Sequence, residues 1–144
     1  MPIVGFNFER VSGEKKNIIT KEVKIRNNAS ITNILEEKLP IEGSKGEVLK
    51  FTFEYITSYE PEIGEIELKG HILYLDDTKK IKEILKSWKK DKKIPQELMQ
   101  QLLNIIIRRS SIKALTLSEE LNLPPQIPLP KLTPLKPENN EYIG

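Results

Sequence analysis

The chain has 144 residues and a mass of 16.6 kDa, enough for one domain with a real core. Its hydrophobic fraction of 38% and charged fraction of 31% exclude a disordered chain, and no apolar run approaches the roughly 20 residues that cross a bilayer. Lysine and arginine total 23 against 21 acids, cysteine is absent and His71 is the single histidine, which excludes disulfides, thiolate nucleophiles, cysteine-held zinc and clusters of imidazole ligands.

The N-terminal MPIVGFNFER lacks the basic-then-apolar pattern of an export signal, so a cytoplasmic location and no membrane insertion are expected. From there the chain alternates with period two, and four strands are predicted over about 2–12, 19–35, 47–59 and 63–75. In the first, Val4, Phe6 and Phe8 share a side, with Asn7 and Glu9 opposite. The second places Val23, Ile25, Ala29, Ile31 and Leu35 on one face, and Lys24, Arg26, Asn28, Ser30 and Thr32 on the other. Phe51, Phe53 and Tyr55 continue the pattern in the third, then Ile66, Leu68, Ile72 and Tyr74 in the fourth. VSGEKKN and LPIEGSKGE read as turns, and SYEPEIG as a hairpin between the third and fourth strands. The expected result is an antiparallel meander with one apolar face that needs a cover.

The last third supplies the cover. Asp76, Asp77 and Thr78 can cap a helix over about 78–91, in which Ile81, Ile84, Leu85 and Trp88 recur at helical spacing. Pro95 is placed to open a second helix over about 95–115. Its stripe of Leu98, Met99, Leu102, Leu103, Ile106 and Ile107 is too broad for a helix facing water on all other sides. Strands first and helices after imply an α+β domain spanning residues 1–132, with a Pro-rich extended segment and a flexible tail over 133–144. Prolines 124, 125, 128, 130, 134 and 137 forbid helix there. Leu121, Leu123, Ile127, Leu129 and Leu132 are apolar enough to predict a strap, over residues 121–132, lying on the protein's own body or on a neighbouring subunit.

No residue set announces a reaction. His71 stands on the polar phase of the fourth strand, where a surface or edge-of-core role suits it better than catalysis or metal binding. IEGSKGE has the wrong order for a phosphate loop, and a strand follows it instead of a helix. Glu60, Glu62, Glu65 and Glu67 fall in a turn and on an outer strand face, and no nucleophile accompanies them. A non-enzymatic protein without cofactor or metal is the expectation. The basic run KSWKKDKK offers Lys86, Lys89, Lys90, Lys92 and Lys93 around Trp88, and Arg108 and Arg109 add to it as possible nucleic-acid contacts.

The order of elements resembles the SecB family, bacterial export chaperones, over about residues 5–130. TKEVKIRNNAS resembles that family's second strand, and EVLKFTFEYITSYEPEIGEIELKGHILYL its central hairpin. QELMQQLLNIIIRRSSIKALTLSEELNL is similar to its long helix, which runs into a leucine-rich segment before a proline. The resemblance implies a tetrameric holder of unfolded polypeptides that buries their aromatic and aliphatic segments in grooves, with no catalytic residue and no cofactor. The family is acidic and docks an export motor through that surface, whereas this chain is slightly basic. Aromatic placement in this sequence nominates Phe51, Phe53, Tyr55 and Trp88 as polypeptide-binding residues, in a dimer or tetramer. The rival expectation is a ribosome- or RNA-associated structural protein that uses its lysine-rich helix and its C-terminal strap.

Overall fold

The computed structural model describes residues 3–37 and 46–132. Four strands come first: β1 (Ile3–Lys15), β2 (Lys24–Glu37), β3 (Gly46–Glu60) and β4 (Gly64–Asp77). Two helices follow, α1 (Thr78–Asp91) and α2 (Gln96–Glu120). This is the expected α+β class, an antiparallel sheet followed by helices, with a correction to the topology. β2, β3 and β4 form a meander, but β1 pairs with β4, so the spatial order is β1-β4-β3-β2 and β2 lies at the far edge.

The connection over 16–23 must therefore cross the base of the sheet. It is tied there by the backbone N–H groups of Lys16 and Asn17, both donating to the Ile63 carbonyl, and by the Asn17 amide donating to the Glu62 carbonyl. Ile19 and Val23 pack against the core from this crossing, which is why β2 begins at Lys24 and not near residue 19. The VSGEK part of the expected first turn is strand instead, because β4 extends far enough to pair Ser12 through Lys15 with Glu67 through Gly64. Most of LPIEGSKGE, and the tail over 133–144, lie outside the described residues.

Bulges correct the alternation. An extra residue in one strand flips every side chain beyond it to the other face. In β1 the register shifts between Ile3 and Gly5 and between Phe8 and Arg10. Val4 is thereby half exposed, while Ile3, Phe6 and Phe8 face the core. In β2 the shift falls between Ile31 and Asn33, so Ile34 is buried at 5% and Leu35, expected inside, is 49% exposed.

Both helices lie on the same face of the sheet. α1 starts at Asp77, whose carboxylate accepts the Lys80 N–H at 2.9 Å, and ends at Lys92 in a left-handed conformation. Ile81, Ile84 and Trp88 of α1, with Leu98, Leu102 and Ile106 of α2, close over Leu49, Phe51, Phe53, Ile72 and Tyr74. α2 runs to Glu120, beyond the expected end near 115. No breaker precedes Asn122, and Ser110, Ser111, Ala114 and Ser118 are small enough for the helix to pass closely over Tyr55 and Tyr59.

The chain then turns and crosses the sheet from one edge to the other. Leu121 reaches Gly13 on β1 and Leu123 reaches Gly64 on β4. The Pro124 carbonyl accepts the Tyr59 hydroxyl of β3 at 2.7 Å, and the Gln126 carbonyl accepts the Asn27 amide of β2 at 2.9 Å. The strap therefore lies on the body over 121–127. Beyond it Leu129 and Leu132 are exposed, Leu132 fully.

Candidate functional site

Because both helices cover one sheet face, Phe51, Phe53 and Tyr55 of β3 sit beneath them, and Trp88 of α1 points down onto the same core. Phe51 and Phe53 are 0% exposed, and Tyr55 and Trp88 are buried. The three on β3 form a floor, and none of the four presents a surface in the single chain. Phe53 stacks on Phe6 with ring centroids 5.0 Å apart, and Phe8 meets both rings edge-on. The Arg109 guanidinium caps this cluster, 4.7 Å from the centre of the Phe6 ring.

The helices do not reach the sheet's two edges equally well. Arg109 fixes the β1 flank of α2, and helical spacing puts Ile105 and Ile112 beside it. The opposite flank is fixed by Ser111, whose carbonyl accepts the Gln126 amide beside Asn27 of β2. Ile107 and Leu103, one and two turns earlier, share that flank. Ile107 is 46% exposed. The inner side of β2 carries Ile25, Ala29 and Ile31, all half-buried. Among the described residues β2 pairs only with β3, so its outer edge offers unpaired N–H and C=O groups along 14 residues. The β2 side thus combines an open backbone edge with a bordering apolar row.

Asn27 organises the lower end of that row. Its side-chain oxygen accepts the Thr57 hydroxyl at 2.7 Å while its amide donates to the strap. A reading for apolar phase passes over Asn27, yet the signal is present as a lone polar residue between Ile25 and Ala29 on the inward phase. Burial pushes the nearby Tyr59 hydroxyl up to about 12, so it remains a hydrogen-bond donor to the strap at any ordinary pH.

Polar groups elsewhere form isolated ties. On the outer sheet face His71 hydrogen-bonds Glu9, and Lys50 lies 3.7 Å from the same carboxylate. The hydrogen bond from His71 holds Glu9 below its ordinary range. At the top of β4 the Tyr74 hydroxyl donates to Asp76, which lowers the Asp76 carboxyl, and burial raises Tyr74. Tyr74 and Asp76 line a cleft of about 510 Å³ with Ile84, Ser87, Ile94 and Leu98. No group of three or more potential metal ligands occurs among the described residues.

The basic residues divide into two places. Lys86, Lys89, Lys90, Lys92 and Lys93 are exposed on and just after α1, joined by Lys79, Lys80 and Lys82 of its first turns. Arg108 and Arg109 belong to α2, where Arg109 is engaged with Phe6. No described helix is long and apolar enough to cross a membrane.

Neither a family model nor a curated protein matches the sequence. Among solved structures, the fold is similar to that of a SecB-like chaperone of Mycobacterium tuberculosis in complex with a ChAD peptide from an antitoxin. The match has a TM-score of 0.50 at 10% sequence identity, covering 94% of this chain and 92% of that chain. At that identity the likeness is one of architecture, and it agrees with the sheet and helix order found here. The chain has a SecB-like fold.

Proposed function

We propose that this protein holds non-native polypeptide segments, without catalysis or cofactor, along the β2 side of its sheet. The observation that carries this reading is the open edge of β2, bordered by Ile25, Ala29 and Ile31 and by the exposed Ile107 of α2. An extended client adds backbone hydrogen bonds at the edge, and its apolar side chains leave water against the row. Such contacts read extension and greasiness with little regard for sequence. Phe51, Phe53 and Tyr55 contribute as the rigid floor beside this groove, and Trp88 holds α1 down on that floor. A chaperone of similar fold solved with a bound peptide supports the reading. The working form is a homo-oligomer in the cytoplasm.

The test is suppression of light scattering from a chemically unfolded substrate. Stoichiometric protein is expected to suppress aggregation equally in low and high salt, because apolar contacts are not screened. Ile107→Glu is expected to weaken the protection several-fold, while Ile112→Glu, more exposed than Ile107 and beside Arg109 on the other flank of α2, leaves it intact. Absence of protection, or equal effects of the two substitutions, rejects the proposal.

A further inference from the structure

Between residues 78 and 93 the chain carries eight lysines and two acids, Glu83 and Asp91. The chain as a whole is nearly neutral, so charge of one sign is concentrated on α1 and its C-terminal cap. All eight lysines are exposed, and among the described residues Lys82, Lys86, Lys89 and Lys90 form no ion pair with a carboxylate. Lys82, Lys86, Lys89 and Lys90 stand at spacings of four, three and one, which places them on one helix face around a shallow groove that holds a single apolar residue, Leu85. At about 1.5 Å per residue, the row from Lys82 to Lys90 is about 12 Å long.

We infer that this face of α1 is a docking surface for the sugar–phosphate backbone of nucleic acid. Charge complementarity gives the class of partner, and the composition of the face narrows it. An amphipathic helix that inserts into a lipid surface needs a free apolar side. Here that side, Ile81, Ile84 and Trp88, is spent on the core. A protein partner calls for apolar or aromatic anchors at the centre of the contact, and the groove offers only the half-buried Leu85. A phosphate backbone needs nothing but a row of cations. Trp88 is covered from inside by the core and flanked by the Lys92 ammonium, 5.2 Å from its ring centre, so bases have no aromatic platform. Binding is thus independent of base sequence. Arg108 and Arg109 lie outside the site, and Lys82 belongs to it.

The experiment is fluorescence anisotropy with the full chain and a labelled single-stranded RNA of mixed sequence, run beside poly-glutamate and phosphatidylserine vesicles. About four phosphate contacts predict that affinity falls roughly 50-fold between about 50 and 200 mM salt. K82Q/K86Q/K89Q/K90Q is expected to abolish that salt dependence and weaken binding at low salt by at least about 30-fold, with an unchanged circular dichroism spectrum. The same four positions changed to arginine are expected to retain binding, which separates charge from any structural damage. Failure to bind RNA at low salt, indifference to the glutamine substitutions, or binding of poly-glutamate or vesicles as tight as RNA overturns the inference. The glutamine variant is expected to suppress aggregation like the wild type, so this surface and the β2 groove stand or fall separately.

Discussion

Gly70 shows how one residue lets two strands and three aromatic rings meet. A Cβ there would lie 2.1 Å from the Asn7 carbonyl oxygen of β1 and 2.8 Å from the tip of the Phe53 ring. Neither neighbour is free to give way, since one is paired backbone and the other is packed between Phe6 and Phe8. Gly70→Ala is therefore expected to cost about 1–3 kcal/mol or more through overpacking, read from the urea midpoint. Gly5→Ala is the control, because the atoms nearest its Cβ all belong to the Leu73 side chain, the closest a terminal methyl at 3.2 Å. Equal losses from the two would show that the approach of β1 is not what Gly70 secures. The sequence displays the glycine but not the reason for it, which depends on β1 lying against β4. Val4 and Leu35 were illegible for a related cause: a bulge inserts an extra residue that no local residue type marks and reverses the phase, so alternation read straight through assigns both to the wrong face.

At the scale of elements, hydrophobic period carried most of the information. Period two in EVLKFTFEYITSY and EIELKGHILYL matches β3 and β4 because both strands are central, with one face under the helices. The Asp77 cap and the Ile81, Ile84, Trp88 spacing were equally direct for α1. What sequence could not supply was the order of the strands, since the crossing over 16–23 is held by backbone bonds to the Ile63 carbonyl and has no composition of its own. The strap was half legible. Its leucines said that it must be covered, but not where the cover ends. Leu123 is buried in the lower core beside Tyr59, Ile63 and Ala114, whereas Leu132 stands in water. Leu123→Ala is expected to lower stability by about 2–5 kcal/mol, and Leu132→Ala by less than about 0.5 kcal/mol, in equilibrium unfolding. A second consequence has a fixed sign. The Tyr59 pKa is raised from 10.0 to about 12 in the folded chain, so the stability tied to its neutral form is complete below pH 10 and is lost as pH rises towards 12.

Seen whole, the molecule has one sheet face closed at its centre and less well closed towards both edges. The floor residues Phe51 and Phe53 are sealed, so any polypeptide-binding activity has to use the margins. Two margins exist, and they differ in chemistry. The β2 margin combines an open backbone edge with a row of aliphatics, Ile25, Ala29 and Ile31, interrupted by Asn27. The β1 margin has Val4 and Val11 exposed and Phe6 half-covered beneath Arg109, along a strand that pairs only with β4 among the described residues. An unpaired edge of 13 residues with exposed Val4 and Val11 is a template for pairing with a like edge, and antiparallel pairing of two identical strands satisfies twofold symmetry. The lysines of α1 oppose association through the helix side, because like charges would face one another. Self-association is thus expected at β1, leaving the β2 groove and the α1 row free. Sedimentation equilibrium should give a mass that is a multiple of 16.6 kDa, and Val4→Lys with Val11→Lys should reduce it to one chain with little change in circular dichroism. If the wild type sediments as a single chain, the β1 edge is blunted by its two bulges instead, and the proposed β2 groove works in one molecule at a time.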